Sequence, residues 1–371
     1  MPVGVYLCPY DLPLVKNIFH DSNITIKYGN QDGRFLFNEE TMLKFTERGI
    51  YCPPADMYID PWEPVEKAIV THGHSDHARW GMGRYLCHAH TAPILRLRLG
   101  TDIATQEVEY GETITVNGVR ISLHPAGHII GSAQIRLEYR GEIWVVSGDY
   151  KLVQDSLSVP YEPIPCHQFV TESTFGLPIY QFPDPASVFQ EINAWWERNA
   201  SEGLNSVLLG YALGKSQTIL TQLNTTIGPV FLHGAVANVN AALGEIGYEF
   251  PGERVTPETD RKSITSAMIV APPSVLGSPW LRKLTPYRIA LCSGWMQLRG
   301  ARRRRGVDRG FVLSDHCDWQ QLNRAVAATG AETVYVTHGY EAPFARWLRE
   351  QMRLQVHEVH LQGTEVAEGD L

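Results

Sequence analysis

An α/β fold built in two parts is predicted by three observations. Short apolar segments of strand length recur along the chain, and several end on a histidine or an aspartate. Segments with helical spacing lie between them. A stretch with its own strand and helix alternation, residues 181–309, separates an earlier set of such strand ends from a later one.

In chain order, the first strand of this kind is Met57–Ile59, ending on Asp60. Val65–Thr71 follows, with the continuous apolar run Ala68, Ile69, Val70, and leads into His72, Gly73, His74, Ser75, Asp76, His77. Cys87, His88 and His90 follow Arg84–Leu86, where an outer helix is expected to begin, and are read as structural rather than metal-binding. Val119–Leu123 precedes a glycine-flanked turn holding His128, and Ile143–Val146 precedes Ser147, Gly148, Asp149. Phe169–Thr171 ends on Glu172. Asp184 and Pro185 suit the start of a helix carrying Val188, Phe189, Ile192, Trp195 and Trp196 at helical spacing. Strands are expected near 206–209, 230–232, 267–270 and 288–292, with helices near 216–223 and 239–246. Gly310–Leu313 is expected to deliver His316, Asp318 to cap a helix over 319–328, Thr333–Thr337 to deliver His338, and Pro343 to open a last helix to Met352.

Composition narrows the class. The chain has 371 residues, 44% hydrophobic and 19% charged, enough to bury sizeable cores in two domains. No apolar stretch approaches the roughly 20 residues of a membrane span. Prolines and Asp11 interrupt any signal-like segment at the start, so export is not expected. Six cysteines without a Cys-X-X-Cys pair fit reduced thiols, and a cytoplasmic location is expected.

The run from His72 to His77 is the most telling local signal, with four potential ligands in six residues on a loop beyond a strand end. A tight loop can aim His72 and His74 one way and Asp76 and His77 another, which suits two metals better than one. Imidazole and carboxylate without thiolate are the ligands of catalytic rather than structural zinc, with manganese or iron also accepted.

This His-X-His-X-Asp-His arrangement resembles the signature of the metallo-β-lactamase superfamily, and Asp60, His128 and Asp149 match its other motifs in order. Glu172, His316 and His338 resemble motifs A, B and C of the β-CASP nuclease subgroup. Within that subgroup the phrases GIYCPPADMYIDPW (49–62), HSDHAR (74–79), SGDYK (147–151), PIPC (163–166) and TESTFGLPIY (171–180) resemble the bacterial ligase-associated DNA damage response exonucleases.

The resemblance implies a four-layer αββα sandwich with an inserted α/β cap. Residues 42–180 and 310–371 would form the two parts of the lactamase-like domain and 181–309 the cap. Residues 1–41 fall outside, as an edge hairpin or a flexible extension. The resemblance also implies two divalent cations, zinc first and manganese as the alternative. His72, His74 and His128 would hold one, and Asp76, His77 and His338 the other. Asp149 would bridge them, and Asp60 would orient the histidine loop by hydrogen bonding. Asp76, Asp149, Glu172 and His316 form the expected catalytic set, with Glu172 holding His316. The expected activity is two-metal hydrolysis of DNA as an exonuclease in repair, with a DNA ligase as a partner. RNA is the alternative substrate, because His338 stands where eukaryotic DNA nucleases of the subgroup carry valine. A catalytically silent nucleic-acid-binding protein is a further reading, which predicts broken ligands.

The net charge of −8 argues mildly against general affinity for nucleic acid, so local distribution matters more. Arg299, Arg302, Arg303, Arg304, Arg305 and Arg309 form a basic run that either neutralises phosphates near His316 or is a solvated loop. Gly210–Ser216 is one residue too short for a P-loop, which excludes nucleotide hydrolysis on that ground. Gly214, Lys215, Ser216, Gln217 resembles a Gly-Lys-X-Gln segment of the β-CASP proteins, so Lys215 and Gln217 are read as a seat for a substrate phosphate or as a plain strand-to-helix turn.

Overall fold

Hydrophobic segments that end at polar loops become three sheets in the computed structural model, which describes residues 41–260, 263–298, 300 and 306–361. The N-terminal extension and Arg299 and Arg302–Arg305 of the basic run lie outside the described residues. Residues from Met42 onward form one unit, to which everything below belongs.

The first sheet holds β1 (Lys44–Thr46), β2 (Gly49–Cys52), β3 (Met57–Ile59), β4 (Lys67–Ile69), β5 (Arg84–His88) and β6 (Thr105–Val108), paired in that order. From β3 to β6 the strands are parallel. The second sheet holds β7 (Thr113–Val116), β8 (Val119–Pro125), β9 (Ala133–Tyr139), β10 (Glu142–Val146), β11 (Gln168–Ser173), β18 (Thr333–Gly339) and β19 (Gln355–Glu358), in the order β19-β18-β11-β10-β9-β8-β7. β10, β11, β18 and β19 run parallel, and β8 shares their direction because β9 is antiparallel to both β8 and β10. The carboxyl ends of β8, β10, β11 and β18 therefore open on one edge, where α/β sheets bind ligands.

The third sheet is built from β12 (Asn205–Leu209), β13 (Val230–Leu232), β14 (Glu253–Arg254), β15 (Met268–Ala271), β16 (Tyr287–Cys292) and β17 (Arg309–Phe311), all parallel. Parallel strands buried on both faces read as continuous apolar runs, as in Val207, Leu208, Leu209.

The helices are α1 (Ala92–Leu99), α2 (Pro185–Ser201), α3 (Lys215–Gln222), α4 (Gly234–Gly244), α5 (Pro279–Arg282), α6 (Trp319–Thr329) and α7 (Glu341–Gln351). Among the described residues no helix is long and apolar enough to cross a membrane.

Buried apolar clusters set the layers. Ile50, Ile59, Ile69 and Leu86 of the first sheet meet Ile121, Ile135, Leu137 and Trp144 of the second. On its other face the second sheet meets Leu322, Val326, Phe344 and Leu348 of α6 and α7. Ala68, Tyr85 and Cys87 pack with Ala92 and Leu95 of α1. The third sheet buries Leu208, Leu232 and Val270 with Ile192 and Trp196 of α2 and Ile219 and Leu220 of α3. Ile94, Ile129 and Ile130 join Leu213, Val239 and Leu243, and so link the second part of the fold to the first.

Four details depart from the sequence reading. Arg84–His88 is a strand, and the helix begins only at Ala92. Tyr85–His88 are buried in succession, and an apolar run covered on both faces carries no periodicity to separate strand from helix. The strand before His316 is Arg309–Phe311 rather than Gly310–Leu313, and it pairs with β16 in the third sheet. The fourth helix starts at Gly234 rather than near Val239, because the His233 side chain accepts from the Ala235 amide, 3.1 Å away. Asp184 precedes α2 with Pro185 in its first turn, as expected, but its side chain makes no capping hydrogen bond.

Candidate metal centre

The loops after β4, β8 and β10 and the carboxyl end of β18 carry the expected ligands to one place. His72, His74, His128 and Asp149 can each bring one donor atom within 4.8 Å of the others. Asp76, His77 and His338 do the same, and Asp149, Glu172 and His316 form a third group. Asp149 Oδ2 lies 3.5 Å from His72 Nε2, 3.8 Å from His128 Nε2 and 3.4 Å from His77 Nε2, so it stands between the first two clusters. His338 Nε2 and His77 Nε2 are each 3.8 Å from Asp76 Oδ2.

Backbone geometry explains how these side chains reach inward. His338 adopts φ 54 and Asp60 φ 45, left-handed conformations that non-glycine residues occupy at a cost where the surroundings hold them. Gly148, before Asp149, has φ 56, and a Cβ there would meet Thr71 Cβ at 2.7 Å. Only glycine lets the β10 loop approach the start of the histidine loop so closely.

Asp60 anchors that loop. Its Oδ1 accepts from the Thr71 amide (2.8 Å), and its Oδ2 accepts from Thr71 Oγ1 (2.6 Å) and from His77 Nδ1 (2.7 Å). Arg98 of α1 donates to the Gly73 carbonyl at 2.6 Å. Sequence reading missed Thr71 and Arg98 as supports, since neither carries a motif of its own.

In the first cluster the far nitrogen of each imidazole is committed as a donor. His74 Nε2 donates to the Leu213 carbonyl (3.2 Å) and His128 Nδ1 to the Asp315 carbonyl (2.8 Å). His72 Nδ1 donates to Thr71 Oγ1 (3.1 Å), whose own proton goes to Asp60. A neutral imidazole has one donor and one acceptor nitrogen. The lone pairs of His72 Nε2, His74 Nδ1 and His128 Nε2 therefore converge, with His74 Nδ1 only 3.0 Å and 3.1 Å from the other two. Burial pushes the pKa of all three rings down, which keeps them in this neutral form. Three lone pairs facing one another beside a carboxylate repel unless a cation lies among them. His77 Nε2 and Asp149 Oδ1 are buried without a hydrogen-bond partner. These residues fit divalent cations.

Charge is focused on the same point. Burial pushes His77 down, but the carboxylates of Asp149, Asp76 and Asp60 outweigh it and lift the ring well above the ordinary value. Burial pushes the Asp149 carboxyl up, yet His77 and His316 hold it well below the usual range. His316 Nδ1 lies 3.0 Å from Glu172 Oε2 and 3.2 Å from Oε1, and Glu172 Oε1 also accepts from the Tyr150 amide at 2.8 Å. Burial opposes the charged form of His316, but Glu172 and Asp149 raise it to about 9.

The phosphate seat expected at Lys215 and Gln217 is not what the fold makes of them. Lys215 Nζ is buried 2.9 Å from Asp315 Oδ2. Gln217 is fully buried, accepting from the Gly214 amide (2.7 Å) and donating to the Ala212 carbonyl (3.0 Å) and Asn240 Oδ1 (2.8 Å). A buried ammonium needs a carboxylate to offset its desolvation, and that pairing takes it away from any phosphate. Arg309, the described end of the basic run, pairs with Glu191 at 2.5 Å. Cys87 and His88 are buried, and His88 stacks on Tyr110 with ring centroids 3.7 Å apart.

No family model matches the chain. It is 34% identical over 312 residues to a probable DNA ligase of Opitutus terrae, covering 83% of this chain and 30% of the ligase. It is 28% identical over 123 residues to the endoribonuclease YSH1 of Saccharomyces cerevisiae, covering 32% of this chain and 15% of that protein. The corresponding endoribonuclease of Eremothecium gossypii is 29% identical over 123 residues, again covering 32% of this chain and 15% of the relative. The chain thus spans less than a third of the length of these relatives. Among solved structures, a protein of unknown function from Enterococcus faecalis V583 superposes with a TM-score of 0.51 at 12% identity, covering 72% of this chain and 74% of that one, a likeness of fold alone. The sequence relatives carry the names of a DNA-joining enzyme and of RNA-cleaving enzymes, and the ligase likeness extends over most of this chain.

Proposed function

We propose that the protein is a metal-dependent DNA exonuclease of the β-CASP group, hydrolysing phosphodiester bonds with two divalent cations and working in DNA repair beside a ligase. The observation that carries this reading is the convergence of seven histidine and aspartate donors in two adjoining clusters that share Asp149. The likeness to part of a probable DNA ligase supports the repair setting. In this reading the two facing sheets with helices outside them are the four-layer sandwich, and the third sheet with its helices, which extends through β17 to Phe311, is the cap that covers nucleic acid.

Zn2+ or Mn2+ held by His72, His74, His128 and Asp149, and by Asp76, His77, His338 and Asp149, would polarise phosphate oxygens and lower the pKa of bound water, for Zn2+ to about 7. The chain's own residues do the rest. Asp60 and Thr71 tie the histidine loop down by hydrogen bonds and orient its donors. Glu172, fixed by the Tyr150 amide, holds His316 at Nδ1, which leaves its Nε2–H to donate to the scissile phosphate or to the leaving oxygen. With its pKa raised to about 9, His316 carries that proton at neutral pH.

RNA processing is the second reading, favoured by the likeness to endoribonucleases and by a histidine at position 338. A silent binding protein would have lost ligands, and every expected ligand is present. The deciding experiment is digestion of matched end-labelled single-stranded DNA and RNA by the metal-reconstituted protein, with Asp149→Ala as control. Stepwise loss of DNA that Asp149→Ala abolishes is expected. Preferential loss of RNA would transfer the assignment to RNA processing, and no Asp149-dependent cleavage with any metal would sink the nuclease reading.

A further inference from the structure

We propose that Lys215 is a positioning residue for the first metal cluster, acting through Asp315, so that the turn between β12 and α3 is a structural part of that cluster. The inference rests on the metal-binding half of the reading above and is independent of whether the substrate is DNA or RNA.

The turn touches the cluster twice. Leu213 lies 139 positions from His74 in sequence, and its carbonyl accepts from His74 Nε2 at 3.2 Å, which fixes the tautomer that leaves Nδ1 for a cation. Two residues later, Lys215 Nζ meets Asp315 Oδ2 at 2.9 Å. The Asp315 carbonyl accepts from His128 Nδ1 at 2.8 Å and so orients Nε2 inward. One short segment of the third-sheet region thus holds two of the three imidazoles, His74 directly and His128 through the ion pair.

Burial makes this pair more than a surface contact. Lys215 is 4% exposed and Asp315 5% exposed, so the link is shielded from solvent and salt. A sealed ion pair adds little net stability over apolar residues of the same shape, and its best-supported role is to enforce one arrangement. The arrangement enforced is the loop between β17 and α6, in which Asp315 is followed directly by His316. The turn itself has no slack. Gly214 has φ 86, and a Cβ there would lie 2.3 Å from Ile129 Cγ2, on the residue next to His128. Ile94, Ile129, Ile130, Leu213 and Leu243 seal the contact.

Two roles are separable by experiment: a pair needed only because each charge would otherwise be buried alone, and a pair that positions His128. Lys215→Met and Lys215→Met/Asp315→Asn are compared with the wild type in the full chain. The readouts are Zn2+ affinity by chelator competition, the electronic absorption of the Co2+-loaded protein, and the melting temperature. Lys215→Met is expected to weaken Zn2+ binding by about 10–100-fold, the usual effect of losing a support behind a ligand, and to alter the Co2+ bands. The double variant leaves no unpaired charge, so its melting temperature is expected to recover while Zn2+ affinity stays low. Wild-type Zn2+ affinity and an unchanged Co2+ spectrum in the folded double variant would overturn the proposal, and that variant decides alone if Lys215→Met is insoluble. None of these readouts needs turnover, so a wild type that binds metal but cleaves nothing would sink the nuclease reading and leave this test intact.

Discussion

At the scale of single residues, His316 separates proton donation from metal holding. It belongs to the Asp149–Glu172–His316 group rather than to either ligand set with the other histidines. His316→Ala is expected to lower cleavage by about 10²–10⁴-fold, the usual worth of a positioned acid, with Zn2+ content unchanged by elemental analysis. Loss of metal in that variant would make His316 a ligand instead. The sign of the pH dependence follows from its raised pKa. The donor form is present below about 9 and is lost as pH rises through that value, so cleavage falls on the alkaline side. Glu172→Gln removes the first of the carboxylates that hold the proton, and the alkaline limb of the pH–rate profile is expected to move to lower pH. A limb that stays in place would show that Glu172 does not hold His316.

At the scale of elements, two aspartates that look alike before a helix do different things. Asp318 Oδ1 accepts from the Gln321 amide at 2.9 Å and Oδ2 from the Phe182 amide at 3.1 Å, so it caps α6 and pins the chain entering α2. Asp184 is exposed and makes no cap bond. Asp318→Ala is expected to cost about 1–2 kcal/mol. Asp184→Ala should stay within about 0.5 kcal/mol. Urea midpoints of the two variants measure the difference, and equal shifts would refute the assignment. Local sequence could not separate them, because both aspartates stand at a helix start. The Phe182 amide comes to Asp318 across 136 positions.

At the scale of the whole molecule, a chain of net charge −8 must concentrate its positive charge to hold a polyanion. Arg302–Arg305 are the densest such run in the sequence. If they meet phosphates, the logarithm of the affinity for single-stranded DNA falls with the logarithm of salt by about 0.7 per phosphate neutralised. Replacing Arg302–Arg305 by glutamine is expected to flatten that slope in a fluorescence-anisotropy titration, and an unchanged slope would make the run a solvated loop.

Much of the candidate site was legible before any coordinates, because its signals are local. A ligand that sits just beyond an apolar strand is written in consecutive residues, as at Ala68–His77 or Ile143–Asp149. The strand ends were legible for the same reason, whereas β5 was not, since burial on both faces erases the period that tells strand from helix. Tertiary structure alone decided what Lys215 does. Gly214–Lys215 reads the same whether the ammonium faces a phosphate in solvent or a buried carboxylate 100 positions away, and the choice falls to Asp315 because only folding brings it within 2.9 Å. The sequence by itself thus determined which donors could hold metal, since ligand chemistry belongs to the side chain. The fold decided which groups hold those donors in place, since the supports at Leu213 and Asp315 come from chain segments far in sequence from His74 and His128.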